Sequence, residues 1–259
     1  MESMKLAGRE ALLACVIEVV RRAGDVVMAI YQQDFSVAEK HDKSPVTQAD
    51  SEAEALIIPA LHALLPGVPV VAEESVVANG LPEVGERFWL VDPLDGTKEF
   101  ISRNGEFTIN VALIENGEPV LGVVLAPAIE RLFAGLQGAG AYVEDAGVRQ
   151  EIACRYAWED GLVVLASRSH GDDTALERFL GGRKVCDVRN AGSSLKLCLL
   201  AAGEADVYPR LGRTMEWDIA AGQAVVLAAG GTVEDLQGNP LRYGKPGFEN
   251  PHFAAWGRR

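Results

Sequence analysis

Residues 89–100 read Trp89-Leu90-Val91-Asp92-Pro93-Leu94-Asp95-Gly96-Thr97-Lys98-Glu99-Phe100. The apolar run before Asp92 predicts a short buried strand. Pro93 has a fixed φ and no backbone donor, so the strand is expected to stop there. Gly96 permits a tight bend, and Thr97-Lys98-Glu99-Phe100 is expected to open a short helix whose N–H groups face the strand end. Asp92 and Asp95 are thereby held close together, beside a place suited to an anion. Two such carboxylates repel, and one keeps a proton unless something offsets the charge. Mg²⁺ offsets it, because it selects carboxylate, carbonyl and water oxygens. A cation beside a phosphate-binding helix end points to phosphate-ester chemistry.

The 259 residues are 48% hydrophobic and 24% charged. That balance suits a globular protein with one large domain or two close-packed halves, and a chain this long buries a sizeable core. The formal net charge of −13 argues against a nucleic-acid polymer or an anionic membrane as partner. A small anionic substrate stays compatible, since bound metals reverse the field locally. Cys15, Cys154, Cys186 and Cys198 form no Cys-x-x-Cys pair and have no matching His cluster. Neither a zinc site nor a disulfide framework is expected, and scattered thiols fit a reducing cytoplasm. The apolar stretch 11–20 contains Glu18 and runs into Arg21-Arg22, so it reads neither as a membrane span nor as a signal peptide core.

Outward from residues 89–100, apolar positions in residues 9–33 recur at three- and four-residue intervals and predict an amphipathic helix. Residues 40–50 read as a loop leading into a second helix, with Thr47 or Asp50 near its start and Pro59 inside it. Asp50 has two readings, helix cap or catalytic group. Residues 68–72 read as a buried strand ending at Glu73-Glu74, either a solvated loop or one carboxylate turned onto a metal. Residues 76–86 read as surface loop. Phe107 to Ile114 and Pro119 to Leu125 read as a hairpin, a strand with polar interruptions and its return, and residues 131–135 and 140–143 as further strands. Gly135-Leu136-Gln137-Gly138-Ala139-Gly140 fits a dinucleotide-binding turn poorly, because Tyr142-Val143 and an acidic turn follow instead of a long helix; it reads as a hairpin turn. The hairpin pattern weakens after Ala146, which sets a soft boundary near residue 150 between an N-terminal half, 1–150, and a C-terminal half, 151–259.

Beyond that boundary, residues 162–166 read as a buried strand ending in Ser167-Arg168-Ser169-His170-Gly171. No nucleophile elbow or acidic partner accompanies that Ser and His, so a hydrolase triad is not expected. Residues 174–180 read as a helix and 184–189 as a strand. Ser193 or Ser194 is the expected N-cap of the next helix and Gly203 its stop. Lys196 lies in its first turn, where a cation opposes the helix dipole unless an anion binds nearby. Residues 205–209 read as a strand, with Arg210 and Arg213 in the loop after it. Glu216-Trp217-Asp218 opens a long apolar helix closed by Gly230-Gly231. A turn-rich tail, 244–251, precedes a last strand near residues 253–256.

The ordered set Asp50, Glu73-Glu74, Asp92-Pro93-Leu94-Asp95-Gly96-Thr97 and Trp217-Asp218 resembles the signature of the inositol monophosphatase superfamily. Lys98-Glu99-Phe100-Ile101, Arg103-Asn104-Gly105-Glu106-Phe107-Thr108, Met215-Glu216-Trp217-Asp218 and residues 244–251 are similar to its bacterial 3′(2′),5′-bisphosphate nucleotidase branch, the CysQ type. The resemblance implies an α/β (α+β) chain with a layered α/β/α/β/α sugar-phosphatase fold. It also implies two Mg²⁺ ions where the halves meet, and a weaker third near Glu73. Glu73, Asp92 and the Leu94 carbonyl would hold the first metal, and Asp92, Asp95 and Asp218 the second. Asp50 and Thr97, with Glu74 assisting, would orient and deprotonate the attacking water. Glu73, Leu94, Asp95, Gly96, Thr97 and Asp218 would contact the substrate, with the Gly96 and Thr97 N–H groups holding the scissile phosphate at the helix N-terminus. His170, Gly192, Lys196 and Arg213 would serve the nucleotide, with Lys196 and Arg213 on its 5′-phosphate.

The activity implied is hydrolysis of adenosine 3′,5′-bisphosphate to AMP and phosphate in sulfur metabolism, with 3′-phosphoadenylyl sulfate as a second substrate and inhibition by Li⁺. The rival readings are an inositol monophosphatase or fructose-1,6-bisphosphatase of the same superfamily, a non-catalytic metal or nucleotide sensor, and, resting on the glycine turn alone, a nicotinamide-dependent enzyme. The expected setting is the cytoplasm, with loose inner-membrane association and a homodimer both compatible with the sequence.

Overall fold

The computed structural model describes residues 2–39, 45–157, 160–167 and 173–259. Helix α1 (Glu2–Tyr31) is followed by a two-stranded ladder, β1 (Val37–Glu39) and β2 (Pro45–Thr47), and by α2 (Gln48–Leu64). Seven strands then form one sheet in chain order: β3 (Val70–Ala72), β4 (Arg87–Asp95), β5 (Thr108–Glu115), β6 (Glu118–Ala126), β7 (Arg131–Leu136), β8 (Gly140–Asp145) and β9 (Val148–Ile152). Only β3 and β4 run parallel in it. Helices α3 (Glu73–Asn79) and α4 (Thr97–Ile101) flank β4. Next come β10 (Leu162–Ser167), α5 (Asp173–Leu180), β11 (Val185–Ala191), α6 (Leu195–Ala201), β12 (Val207–Arg210), α7 (Glu216–Ala228), β13 (Thr232–Asp235) and β14 (Phe253–Trp256). Those strands make a second sheet in the order β11-β10-β12-β14-β13.

The period-2 alternation of strand side chains explains the layers. Trp89, Val91, Ile109, Val111 and Leu113 face the buried sides of α1 and α2. Their neighbours Phe88, Leu90, Ala112 and Ile114 join Leu197, Ala221 and Val225 of α6 and α7. Both faces of the sheet are covered, so its strands read as nearly continuous apolar runs. The second sheet lies beyond α6 and α7: Ala255 joins their core, while Trp256 meets Phe179 of α5, with ring centroids 5.9 Å apart. The order is α/β/α/β/α, as the resemblance implies. Among the described residues no helix is long and apolar enough to cross a membrane.

The glycine run near residue 135 has a packing role. Gly122 and Gly135 are paired across β6 and β7, and α7 lies directly on them. A Cβ on Gly122 would sit 2.4 Å from the Ala221 oxygen, and one on Gly135 2.6 Å from the Val225 Cα. Gly122→Ala is expected to destabilise the fold by roughly 3 kcal/mol, because the atom it meets is backbone. A urea unfolding midpoint checks this.

Several elements depart from the sequence expectation. Helix α1 begins at Glu2, earlier than residue 9. The expected loop after Ala72 begins as α3, so Glu73 and Glu74 open a helix. Strand β4 continues through Pro93 to Asp95. Pairing persists past Ala146, through β9. Ser194 precedes α6 without a side-chain cap, because its hydroxyl is used elsewhere. Residues 40–44 and His170 lie outside the described residues.

Candidate active site

The site starts at an irregularity in β4. Asp92 pairs with Asn110 and Asp95 with Thr108. Three steps on β4 thus oppose two on β5, a bulge of one residue. Pro93 sits inside it, where a missing donor costs nothing. That is why the strand does not stop at Pro93. Asp92 is 1% exposed, and its Oδ1 accepts the Leu94 N–H at 3.0 Å. The chain then turns at Gly96 with φ +90°, and a Cβ there would press on Ser193 Cβ and Glu99 Oε2, both at 3.3 Å.

Two other elements close the site. Glu73 starts α3, whose first turn is held by buried Glu54 of α2. Glu54 Oε2 accepts the Glu74 N–H at 2.8 Å, and Oε1 accepts the Ser75 hydroxyl at 2.6 Å, so a carboxylate satisfies the helix start. Asp218 lies in the first turn of α7, where its Oδ2 accepts the Met215 N–H at 2.9 Å. The tail clamps that turn. Fully buried Glu216 accepts the Gly244 and Lys245 N–H groups at 2.8 and 2.9 Å, and Asn250 Nδ2 donates to the Met215 oxygen at 2.7 Å.

Carboxylate oxygens of Glu73, Asp92 and Asp218 lie within 4.8 Å of one another. Burial, and then repulsion by Glu73, Asp95 and Asp218, holds the Asp92 carboxyl well above the usual carboxylate range. Burial, Asp95 and Glu73 do the same to Asp218. Asp95 is pushed up to about 6 by burial, against the pull of Lys196 and the Ser194 N–H. A converging set of hard oxygen donors whose charges repel is chemically suited to a divalent cation such as Mg²⁺.

Asp50 is both cap and site residue. Its Oδ2 accepts the Thr47 N–H and hydroxyl, both at 2.8 Å, while the Thr47 hydroxyl oxygen accepts the Ala49 N–H at 3.2 Å. That leaves Oδ1 facing the Thr97 hydroxyl at 3.3 Å, which also lies 3.4 Å from the Leu94 oxygen. Glu73, Asp95, Thr97 and Asp218 line a cavity of about 240 Å³ together with Lys196, Tyr208 and Arg210. The Lys196 ammonium donates to the Ser193 and Ala191 oxygens at 2.7 and 3.0 Å. Burial pushes its pKa down to about 8, opposed by Asp95. Arg210 donates through Nη2 to the Arg213 oxygen at 2.9 Å, and its buried Nε has no protein acceptor.

The profile of the Inositol monophosphatase family matches residues 9–256. The chain belongs to the inositol monophosphatase family. It is 47% identical over 247 residues to the 3′(2′),5′-bisphosphate nucleotidase CysQ of Salmonella typhimurium, covering 93% of this chain and 98% of that protein. It is 46% identical over 245 residues to the CysQ of Escherichia coli K12, with the same coverage. Among solved structures, the CysQ of Bacteroides thetaiotaomicron superposes with a TM-score of 0.80 at 38% identity, covering 95% of this chain and 97% of that one. An inositol monophosphatase from Anabaena superposes at 0.75 with 25% identity, covering 96% and 91%.

Of the family motif residues expected in this site, Asp50, Glu73, Asp92, Leu94, Asp95, Gly96, Thr97 and Asp218 all arrive in one place. Glu74 is the second residue of α3 and is not among the described residues lining the cavity. Gly192 is a packing residue, for a Cβ there would meet the Glu106 oxygen at 2.6 Å, and its N–H donates to Glu106 Oε2 at 2.8 Å. Lys196 needs no external anion to explain its place in the helix, since the Ala191 and Ser193 carbonyls before α6 and Asp95 face it. Arg213 points to solvent, 62% exposed and paired with Glu249 at 3.1 Å; Arg210 occupies the cavity wall instead. Arg210 is the last residue of β12 and so shares a face with Tyr208. Glu54 was legible as the acidic residue one turn after Asp50 on α2, but nothing in the sequence named its partner.

Proposed function

We propose that the chain is a Mg²⁺-dependent 3′(2′),5′-bisphosphate nucleotidase that converts adenosine 3′,5′-bisphosphate and water into AMP and phosphate, with 3′-phosphoadenylyl sulfate as a second substrate. The carrying observation is a cavity lined by Glu73, Asp95 and Asp218 together with Lys196 and Arg210, beside the converging carboxylates of Glu73, Asp92 and Asp218, in a chain whose curated relatives at 46–47% identity are named for that activity. The N-terminal half, residues 1–150, supplies most of the carboxylates. The C-terminal half, 151–259, supplies Asp218 and the basic wall.

Glu73, Asp92, Asp95, Asp218 and the Leu94 carbonyl would hold two Mg²⁺ ions. When bound, Mg²⁺ supplies positive charge against the phosphoryl oxygens and makes water more acidic. Asp50 orients the Thr97 hydroxyl, and the pair orients the attacking water and accepts its proton. Gly96 and Thr97 border the scissile phosphate. The water oxygen bonds to phosphorus as the bond from phosphorus to the 3′ oxygen breaks, that oxygen takes a proton from solvent water, and the proton held at Asp50 returns to solvent. Arg210 and Lys196 face the second phosphate, and Arg213, paired with Glu249, stays outside the cavity.

Phosphate release is measured from adenosine 3′,5′-bisphosphate beside inositol 1-phosphate, each with Mg²⁺, with EDTA and with Li⁺. The expected result is Mg²⁺-dependent, Li⁺-inhibited release that strongly prefers the nucleotide. In the same assay Arg210→Ala raises KM for the bisphosphate roughly tenfold, the loss of one charge-assisted hydrogen bond, and Arg213→Ala does not. Preference for the inositol phosphate would keep the carboxylate site and overturn the nucleotide wall. No release from either would make the chain a non-catalytic binder.

A further inference from the structure

We propose that Thr108, Ser194 and Asn110 form a one-way hydrogen-bond relay that positions the Asp95 carboxylate toward a cation; this rests on Asp95 being a metal ligand. Strand β5 is apolar apart from Thr108 and Asn110 until its last residue, and these two stand on one face of it, at i and i+2. They are 0% and 1% exposed, and Ser194, at the start of α6, is 3% exposed. Polar groups this deep need a task, and the fold alone would accept valine and leucine there. The Ser194 hydroxyl donates to Asn110 Oδ1 at 2.7 Å. Its single proton is thereby used, so at the 2.9 Å contact with Thr108 it is Thr108 that donates.

Asn110 Oδ1 accepts the Ser194 hydrogen bond, so its amide nitrogen faces Asp95 Oδ2, at 3.5 Å. The flipped amide would set oxygen against carboxylate. The relay therefore runs from Thr108 to Ser194 to Asn110 to Asp95, and each link fixes the next. The Ser194 N–H donates to the same Oδ2 at 2.6 Å. Both protein donors fall on one oxygen of Asp95, and Oδ1 is the oxygen left to a cation. The relay joins β5, the β4 bulge and the start of α6, so Asp95 acquires its orientation only when the second half docks on the first. Orienting groups behind a ligand matter to affinity nearly as much as the ligand itself.

The test is Mg²⁺ titration calorimetry on the full chain, with thermal melts in EDTA and in Mg²⁺. Ser194→Ala is expected to raise the Mg²⁺ dissociation constant roughly tenfold and to shrink the Mg²⁺-induced rise in Tm. KM for the nucleotide at saturating Mg²⁺ should not move. Asn110→Ala should do the same, and the double variant little more, because both interrupt one chain. Thr108→Val, farthest from Asp95 and nearly isosteric, should give a smaller shift in the same direction. It keeps the test open where a larger change fails to fold. Lower Tm in EDTA with an unchanged Mg²⁺ constant would make the trio structural and overturn the relay. Asp95→Asn is the control: if it too leaves the constant unchanged, the assignment of Asp95 as a ligand fails, and the relay with it.

Discussion

Asp92→Asn yields a folded protein that is more stable than the parent in EDTA and has lost on the order of 10³-fold in Mg²⁺-dependent turnover. Asp92 stands at the centre of the carboxylate set, against Glu73, Asp95 and Asp218. Its folded pKa is raised above the unfolded value of 3.8. The stability linked to this group is therefore fully present below that value and is lost as pH rises through the folded pKa. Above that value the metal-free fold is penalised, because burial and the neighbouring carboxylates oppose an ionisation that the unfolded chain undergoes freely. Asparagine keeps the shape, and its oxygen still accepts the Leu94 N–H, but it removes the charge. The Tm difference between variant and parent in EDTA should widen from about pH 5 to about pH 8, across the range where Asp95, pushed up to about 6, also ionises. Saturating Mg²⁺ should narrow or reverse it, because the cation does for the parent what the substitution does for the variant. A variant less stable than the parent in EDTA would show that the carboxylates are not in net repulsion.

Thr97→Val lowers kcat by about 10²- to 10⁴-fold, the range for a lost general acid–base group, and leaves the Mg²⁺ dissociation constant where it was. The Thr97 hydroxyl stands between Asp50 Oδ1 and the Leu94 oxygen at 3.3 and 3.4 Å, at the cavity wall. Valine matches its volume and removes only the hydroxyl. Thr97→Ser restores the hydroxyl and should recover most of the rate. Asp50→Asn should match the loss in kcat and also cost about 1 kcal/mol of stability, since Asp50 Oδ2 serves the start of α2. Thr47→Ala should show the stability loss without a comparable loss of rate. That contrast separates the two tasks of Asp50, which the sequence alone left as alternatives. A Thr97→Val enzyme of parental rate would remove the hydroxyl from the mechanism.

What local chemistry dictates was legible in the chain. The apolar strand runs, the stop at Gly203, the hairpin at residues 135–140 and a helix start near Thr47 or Asp50 depend on neighbours within a few residues. So does the tight turn at Gly96, where the φ of +90° suits glycine. The ordered acidic motifs were sufficient to indicate the family and the layered fold. The bulge at Pro93 was not legible, because a proline ends or bends a strand according to whether the partner strand supplies an offset register. Nor was the choice of Arg210 over Arg213, which turns on a strand ending one residue later than the sequence suggests.

The sequence by itself determined the motif carboxylates, Asp50, Glu73, Asp92, Asp95 and Asp218, and their order along the chain. Tertiary structure alone decided how they meet. Glu73, Asp92 and Asp218 come from three elements, brought together because α7 settles on the glycines of β6 and β7 and because Glu54 and Glu216 hold the helix starts beside the bulge. Those contacts join residues far apart in the chain, and close packing, not local propensity, selects them.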